Sequence, residues 1–334
     1  MKKILITGGT GFIGSYLVRE LTEKKSVHVR LFLRDTSNLK RLKDIKSKNI
    51  EYFKGDFHNF DDINKSLKGI DTFIHLAAIL GRGKKDDYQA FNVEVSKKFL
   101  NFAIKNKVKK IIYLSTIAVM GGTEQAYIYK EDDDPRPRTL YGKSKWEVEQ
   151  YITHLVEAFG MNATIIRAPA VYGPEDNFDR GFIRIIDLVA RNKYLPVGNL
   201  KNLMSLIYID NLVDAILTVS ENQRANGRIY FVADREILTT GETYKIICKN
   251  LGVPGSRFCM PKHLILPVER SIELAAKIFK FIPWYPENYI SDITSNYACS
   301  IKKINAELKW SPKISTQDGL EKTIQWYKSL YMTR

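Results

Sequence analysis

A chain of 334 residues, 44% apolar and 27% charged, is long enough to bury a full core as one large or two modest domains, and it shows no internal repeat or low-complexity tract. No apolar stretch reaches the roughly 18 residues of a membrane span, and Met1 lies immediately before the first apolar run, which leaves no room for a signal or transit peptide, so a cytoplasmic protein is expected. The net charge of +15 is carried by lysines spread over ordinary helix surfaces, with the densest cluster, Lys105 to Lys110, flanking a strand; this predicts a solvated surface and no nucleic-acid partner, with attraction to phosphorylated substrates or an anionic membrane surface as the lesser reading.

The first element is a short apolar strand, Lys2 to Ile6. It runs into Thr7-Gly8-Gly9-Thr10-Gly11-Phe12-Ile13-Gly14 and then a helical pattern through Leu17, Val18 and Leu21. Gly9, Gly11 and Gly14 satisfy the spacing that lets a backbone approach a pyrophosphate at a helix N-terminus, so Gly8, Thr10, Gly11, Phe12, Ile13 and Gly14 are assigned to a dinucleotide. The second strand ends at Arg34, a donor-only cation suited to a ribose 2'-phosphate, which favours NADP(H). Asp35 follows it and would serve NAD(H) if the strand ends one residue later. Arg34 stacking on the adenine is the structural alternative.

Farther along, the apolar run Ile111 to Ser115 ends at Thr116. The segment Glu131 to Pro137 is charged and broken by prolines, and is expected to form a solvated edge of the active-site mouth. Tyr141-Gly142-Lys143-Ser144-Lys145 then puts a phenol and an ammonium four positions apart, on one helix face. A positive charge beside a phenol favours phenolate, so Lys145 is expected to lower the pKa of Tyr141 and fit it for acid/base work, with the Thr116 hydroxyl holding the same substrate oxygen. Strands alternating with helices up to residue 175 predict an α/β fold with a doubly wound parallel sheet.

Taken together, the glycine turn, Gly55-Asp56, His75-Leu76-Ala77-Ala78, Asn92-Val93, Leu114-Ser115-Thr116, Tyr141 to Lys145, Arg167-Ala168-Pro169, Val171 to Pro174 and Ile207 to Leu212 resemble the extended short-chain dehydrogenase/reductase superfamily, often called the NAD-dependent epimerase/dehydratase family. The resemblance implies a Rossmann-type domain over 1–175 and a smaller mixed substrate-binding domain over 176–334, with segments near 200–235, Ser205 to Ile209 and Arg228 to Val232, returning to the sheet. It implies that Asp56 hydrogen-bonds the adenine, that Ala77 and Ala78 line the cofactor cleft and that Asn92 supports the active-site network. Loop capping is the alternative for Asp56, and helix capping for Asn92. It also places Phe57, Ser115, Pro169 and Val171 around the cofactor, and makes Thr116, Tyr141 and Lys145 catalytic. A homodimer is implied through residues 87–105 and 141–158, with Phe99, Phe102, Tyr151 and Leu155 at its face.

The second half is expected to set specificity. Members that take nucleotide sugars hold the diphosphate with an arginine where Met204 stands here, and no arginine lies between Tyr285 and Ile301; Lys201 or Lys302 would have to substitute. Residues 262–284 form an amphipathic pattern that packs on its own domain, lids an apolar pocket or lies on a membrane. Cys248, Cys259 and Cys299 are far apart and the histidines scattered, so neither a disulfide nor a metal is expected. Three readings follow: an NADP(H)-dependent oxidoreductase of the hydroxysteroid dehydrogenase, dihydroflavonol reductase or hopanoid-associated epimerase-like type, acting on a small and possibly apolar substrate; a nucleotide-sugar 4-epimerase using the same residues; and a cofactor-sensing protein without catalysis. Dehydration is disfavoured because Ile117-Ala118, not an Asp-Glu pair, follows Thr116.

Overall fold

Seven strands are parallel throughout: β1 (Lys2–Thr7), β2 (Val27–Leu33), β3 (Ile50–Lys54), β4 (Thr72–His75), β5 (Lys110–Thr116), β6 (Ala163–Ala168) and β7 (Ile229–Phe231). The computed structural model describes residues 1–80, 85–176, 178, 181–256, 258–279 and 289–331. Across the sheet the strands lie in the order β7-β6-β5-β4-β1-β2-β3, so the winding reverses between β1 and β4. Helices cover both faces, which is why the central strands read as continuous apolar runs; every residue of β6 is buried. Side chains alternate between two cores, Ile4 and Ile6 entering one and Leu5 the other.

The helices used below are α1 (Phe12–Glu23), α2 (Phe60–Leu67), α3 (Ser96–Lys105), α4 (Leu140–Phe159), α5 (Ile183–Ala190), α6 (Ile209–Glu221), α7 (Thr240–Leu251), α8 (Lys262–Phe279), α9 (Tyr289–Ile293), α10 (Lys302–Leu308) and α11 (Thr316–Tyr331). Helix α4 is held by a buried ion pair. Arg167 on β6, 1% exposed, donates from Nε and Nη2 to Glu149 Oε2 at 3.0 and 2.7 Å, and the Ser115 hydroxyl of β5 donates to Glu149 Oε1. A second buried carboxylate, Asp234, accepts from the Tyr172 hydroxyl at 2.8 Å, Asn211 Nδ2 at 2.7 Å and the Tyr208 amide at 3.0 Å, tying α6 to the loops after β6 and β7.

The two halves of the chain interleave. Ile229–Phe231 forms the sheet edge as β7, whereas Leu206–Tyr208 pairs in parallel with Ala170–Tyr172 outside the main sheet. Ala298–Cys299 adds in parallel to Ile128–Tyr129. The loop from 131 departs from a solvated edge: Asp132 is exposed, but Glu131 is buried and accepts from the Phe231 amide at 2.9 Å, because it satisfies the free amide of an edge strand. The side chains expected at a dimer face also differ. Phe99 and Leu155 are fully covered by their own subunit, Phe99 meeting Phe73 at 5.4 Å, and Tyr151 donates to Asn101 at 2.7 Å across α3 and α4. Helix α8 is present as far as Phe279, while Lys280 and Ile282 of its expected continuation lie outside the described residues.

Replacing Glu149 with Ala leaves the Arg167 guanidinium buried without its partner, and such a loss costs roughly 3–5 kcal/mol. Urea unfolding should show a fall of that size, and a fall under ~1 kcal/mol, the range of an exposed pair, would show that Arg167 escapes to water.

Candidate active site

Strand register brings the expected cofactor residues to one edge. Thr7 lies opposite both Phe32 of β2 and His75 of β4, and Leu33 lies opposite Lys54 of β3. The residues just past each strand, Gly8 and Gly9, Arg34 and Asp35, Gly55 and Asp56, and Ala77 and Ala78, therefore line up at the carboxyl ends. This is where ligands sit in open α/β sheets. The turn itself is closed to side chains. Gly8 holds φ +76°, and a Cβ there would come within 2.8 Å of the Ala77 amide; one on Gly14 would overlap the Gly8 carbonyl. Thr10, Gly11, Phe12 and Ile13 complete the turn into α1, with Gly11 as its N-cap making no side-chain cap bond. A backbone this bare, ahead of a helix N-terminus, fits a pyrophosphate.

Arg34 and Asp56 are exposed, and the Arg34 guanidinium makes no hydrogen bond or ion pair among the described residues. Asp35 pairs loosely with Lys54 at 3.8 Å. Asp56 caps its own loop, Oδ1 accepting from the His58 amide at 2.9 Å. Phe57 does not offer its ring to a cleft, because the ring is 5% exposed and packed on Phe32 at 4.8 Å. Pro169 follows β6 and is buried, and Val171 is half-buried in the strand beside Ile207.

Behind this edge runs a buried chain of polar groups that the sequence did not announce. The Ser96 hydroxyl donates to the Asn92 carbonyl at 2.5 Å, so it must accept from His75 Nε2 at 2.7 Å, and His75 Nδ1 then accepts from Thr7 Oγ1 at 2.6 Å. Burial holds His75 down to about 3, so the ring is neutral at physiological pH. Asn92 itself sits in a π-helical segment, Tyr88–Val95, a geometry that recurs at functional sites. It does not cap a helix. It accepts from the Ile79 amide at 2.7 Å, donates to the Ile79 carbonyl at 3.0 Å and reaches Ser144 Oγ at 3.1 Å, clamping the loop after β4 to helix α4.

Tyr141 opens α4, capped by the Thr139 hydroxyl on the Gly142 amide at 3.0 Å. Gly142 explains how the helix reaches Thr116: a Cβ there would lie 2.6 Å from the carbonyl of Ala118, in the turn that Thr116 caps by accepting from the Ala118 amide at 3.2 Å. Ser115, whose hydroxyl is committed to Glu149, faces the core and offers the edge its backbone alone. Lys145 is buried, its Nζ 4.0 Å from the centre of the Tyr113 ring.

The electrostatics reverse one expectation. Burial pushes the Tyr141 phenol above its ordinary range, with the Tyr88 phenol adding to the shift. Burial pushes the Lys145 ammonium down to about 7, against the opposing pull of Glu149. The i, i+4 spacing places the two groups on one face, but desolvation outweighs any charge that Lys145 lends Tyr141. Tyr113 has a buried hydroxyl without a hydrogen-bond partner among the described residues. Glu149 carried a signal in the sequence, continuing the Tyr141, Lys145 column by one more turn, and His75 stands in the segment before Ala77 but had no role assigned from sequence.

A parallel sheet wound in this order, a glycine turn at its reversal and a Tyr-x-x-x-Lys helix beside it define a dinucleotide-dependent α/β enzyme. The chain belongs to the NAD dependent epimerase/dehydratase family, whose model matches residues 4–233. It is 28% identical to a UDP-glucose 4-epimerase of Vibrio cholerae, covering 97% of this chain and 95% of that protein. It is 27% identical to a dTDP-D-glucose 4,6-dehydratase of Mus musculus, covering 98% and 89%. Among solved structures it resembles UDP-glucuronic acid 4-epimerase from Bacillus cereus in complex with NAD, with a TM-score of 0.79, 26% identity and 98% and 99% of the two chains covered. Among the described residues no cluster of His, Cys, Asp and Glu could hold a metal ion, and no helix is long and apolar enough to cross a membrane.

Lys145 gives a pH signature. An unfolded lysine keeps its proton up to the ordinary 10.5, while the folded Lys145 releases it near about 7. Below about 7 the native state bears the full cost of the buried charge, and that cost is lifted as pH rises toward 10.5. Unfolding free energies of the cofactor-free protein minus those of Lys145→Met should therefore rise across this window. A flat difference would show that Lys145 stays hydrated.

Proposed function

We propose that this enzyme moves a hydride between a nicotinamide cofactor and a secondary alcohol or ketone, with Tyr141 as the proton donor and acceptor. The observation that carries the reading is the Tyr141, Lys145 face of α4, brought by Gly142 against the turn at Thr116. The cofactor, when bound, supplies or takes the hydride. Tyr141, whose phenol is held protonated, gives its proton to the substrate oxygen as negative charge develops there. Thr116 donates to that same oxygen and orients it. Lys145, balanced near neutrality, is assigned to lend positive charge along the helix face it shares with Tyr141, so the phenolate left behind is stabilised only when Lys145 is protonated. Residues from 176 onward are assigned to substrate recognition, and the working location to the cytoplasm.

The second reading, a nucleotide-sugar 4-epimerase, is favoured by the Vibrio cholerae and Bacillus cereus relatives, both 4-epimerases by name. It uses the same three residues, with the hydride returned to the opposite face of the same carbon. Dehydration has less support, since Ile117, buried at 6% exposure, and Ala118 offer no acid or base beside Thr116. Net change in cofactor absorbance with ketone substrates, against UDP-sugar interconversion without any, separates the two. We also infer a homodimer through the outward faces of α3 and α4, where Phe102 and Tyr151 remain half-buried; sedimentation gives its mass.

Replacing Tyr141 with Phe keeps the ring and removes the proton, so turnover in either reaction should fall by about 10²-fold or more with cofactor affinity retained. Turnover within a few-fold of the parent would reject Tyr141 as the proton carrier.

Arg34, exposed just past β2 and unpaired among the described residues, supports a preference for NADP(H), with NAD(H) accepted more weakly. A charge-assisted hydrogen bond to the 2'-phosphate is worth about 1.5–3 kcal/mol, or roughly ten- to hundredfold in affinity. Titration should show that gap in the parent and its near loss in Arg34→Ala, with NAD(H) affinity unchanged. Tighter NAD(H) binding by the parent would assign the ribose to Asp35 or a backbone group.

A further inference from the structure

Helix α8 turns an apolar face to solvent. Leu264, Val268, Leu274 and Ile278 recur at helical spacing along it, and with the adjacent Phe279 they are 56% to 75% exposed. Phe258, just before the helix, is exposed as well. Leucines, isoleucines and phenylalanines do scatter singly over ordinary surfaces, but a row of them along one helix marks a contact site. The helix is not loosely attached. Glu269 on its opposite side is buried and accepts from the Ile290 amide of α9 at 2.7 Å, which fixes the rotation of α8 and directs the apolar row outward.

Charge identifies what the row meets. Both carboxylates of α8 are withdrawn from the outward face, Glu269 being buried and Glu273 half-buried. The exposed polar groups described on the helix are His263, Arg270 and Ser271, none of them acidic. The whole chain carries +15. A second copy meeting this face about a two-fold axis would set two Arg270 guanidinium groups against one another. A bilayer surface with anionic headgroups answers both features, offering an apolar layer to the row and negative charge to Arg270 and the basic body behind it.

We propose that α8 docks on anionic membrane surfaces, laying Leu264, Val268, Leu274, Ile278 and Phe279 into the headgroup boundary. The protein is then peripheral, held by a surface helix, and the docking does not depend on which reaction the active site performs.

Co-sedimentation of the full chain with vesicles tests this. Binding is expected to vesicles containing roughly a third phosphatidylglycerol, to fall several-fold in high salt, and to be weak on pure phosphatidylcholine. The double variant Leu274→Asp/Ile278→Asp should lose at least about tenfold in partitioning, and Arg270→Glu a smaller share, with melting temperature and cofactor binding unchanged in both. If the double variant does not fold, Leu264→Asp, more than two turns away, is read for the same loss. Three results overturn the proposal: no vesicle binding at any composition, binding that survives these substitutions, or a lipid-free assembly whose mass drops in the double variant, which would make the face an interface between copies.

Discussion

A carboxylate and a guanidinium can be taken out of water together only when each finds the other in good geometry and the remaining lone pairs are satisfied. Glu149 and Arg167 meet that demand, with the Ser115 hydroxyl completing the carboxylate. The pair leaves α4 one permitted rotation. Arg167 is fixed on β6 and Ser115 on β5, so the face of α4 that carries Glu149 must turn toward those strands. Lys145 and Tyr141 lie one and two turns earlier on that face, and are delivered to the carboxyl ends of the strands by a contact that touches neither. Gly142 then sets the depth, because any side chain there would lift the helix off Ala118.

What could be read from the sequence was what depends on local sterics. The glycine turn is legible because Gly8 and Gly14 answer collisions with atoms close in the chain or on the next strand, and strand alternation is legible because β1, β5 and β6 are buried on both sides. Illegible features needed partners chosen by the fold. Nothing near Asn92 says that its amide will clamp Ile79 and Ser144, and Phe57 looks like a loop residue until Phe32 and Phe99 are seen to enclose it. The spacing of Tyr141 and Lys145 gave their proximity correctly but not their surroundings, and desolvation decided the direction of both shifts. Glu131 was hidden for another reason: in a run of acids, only its position against the free amide of Phe231 distinguishes it.

The polar chain from Thr7 through His75 and Ser96 to Asn92 connects three elements at the point where the winding reverses. Every member is spoken for, so the neutral ring of His75 has one tautomer available and acts as a rigid strut. It holds β1, β4 and the π-helical segment at fixed separation, and the loop carrying Ala77 and Ala78 inherits that separation through the Ala77 amide, which approaches Thr7 Oγ1 at 3.5 Å. The cofactor edge is therefore positioned by buried groups that never reach its surface.

The docking of Glu131 on β7, across a separation of 100 residues, also bears on how the chain is made. During synthesis the segment that precedes the Tyr141 helix leaves the ribosome long before the strands that hold it. Its partners are Phe231 and, for Ile128 and Tyr129, Ala298 and Cys299. Until those late residues emerge, the nascent amino-terminal half can assemble its first strands but not the rim around Tyr141, and a buried carboxylate waits without its amide. A ribosome stalled before residue 298 would thus display a sheet that is largely wound and a site that is still open.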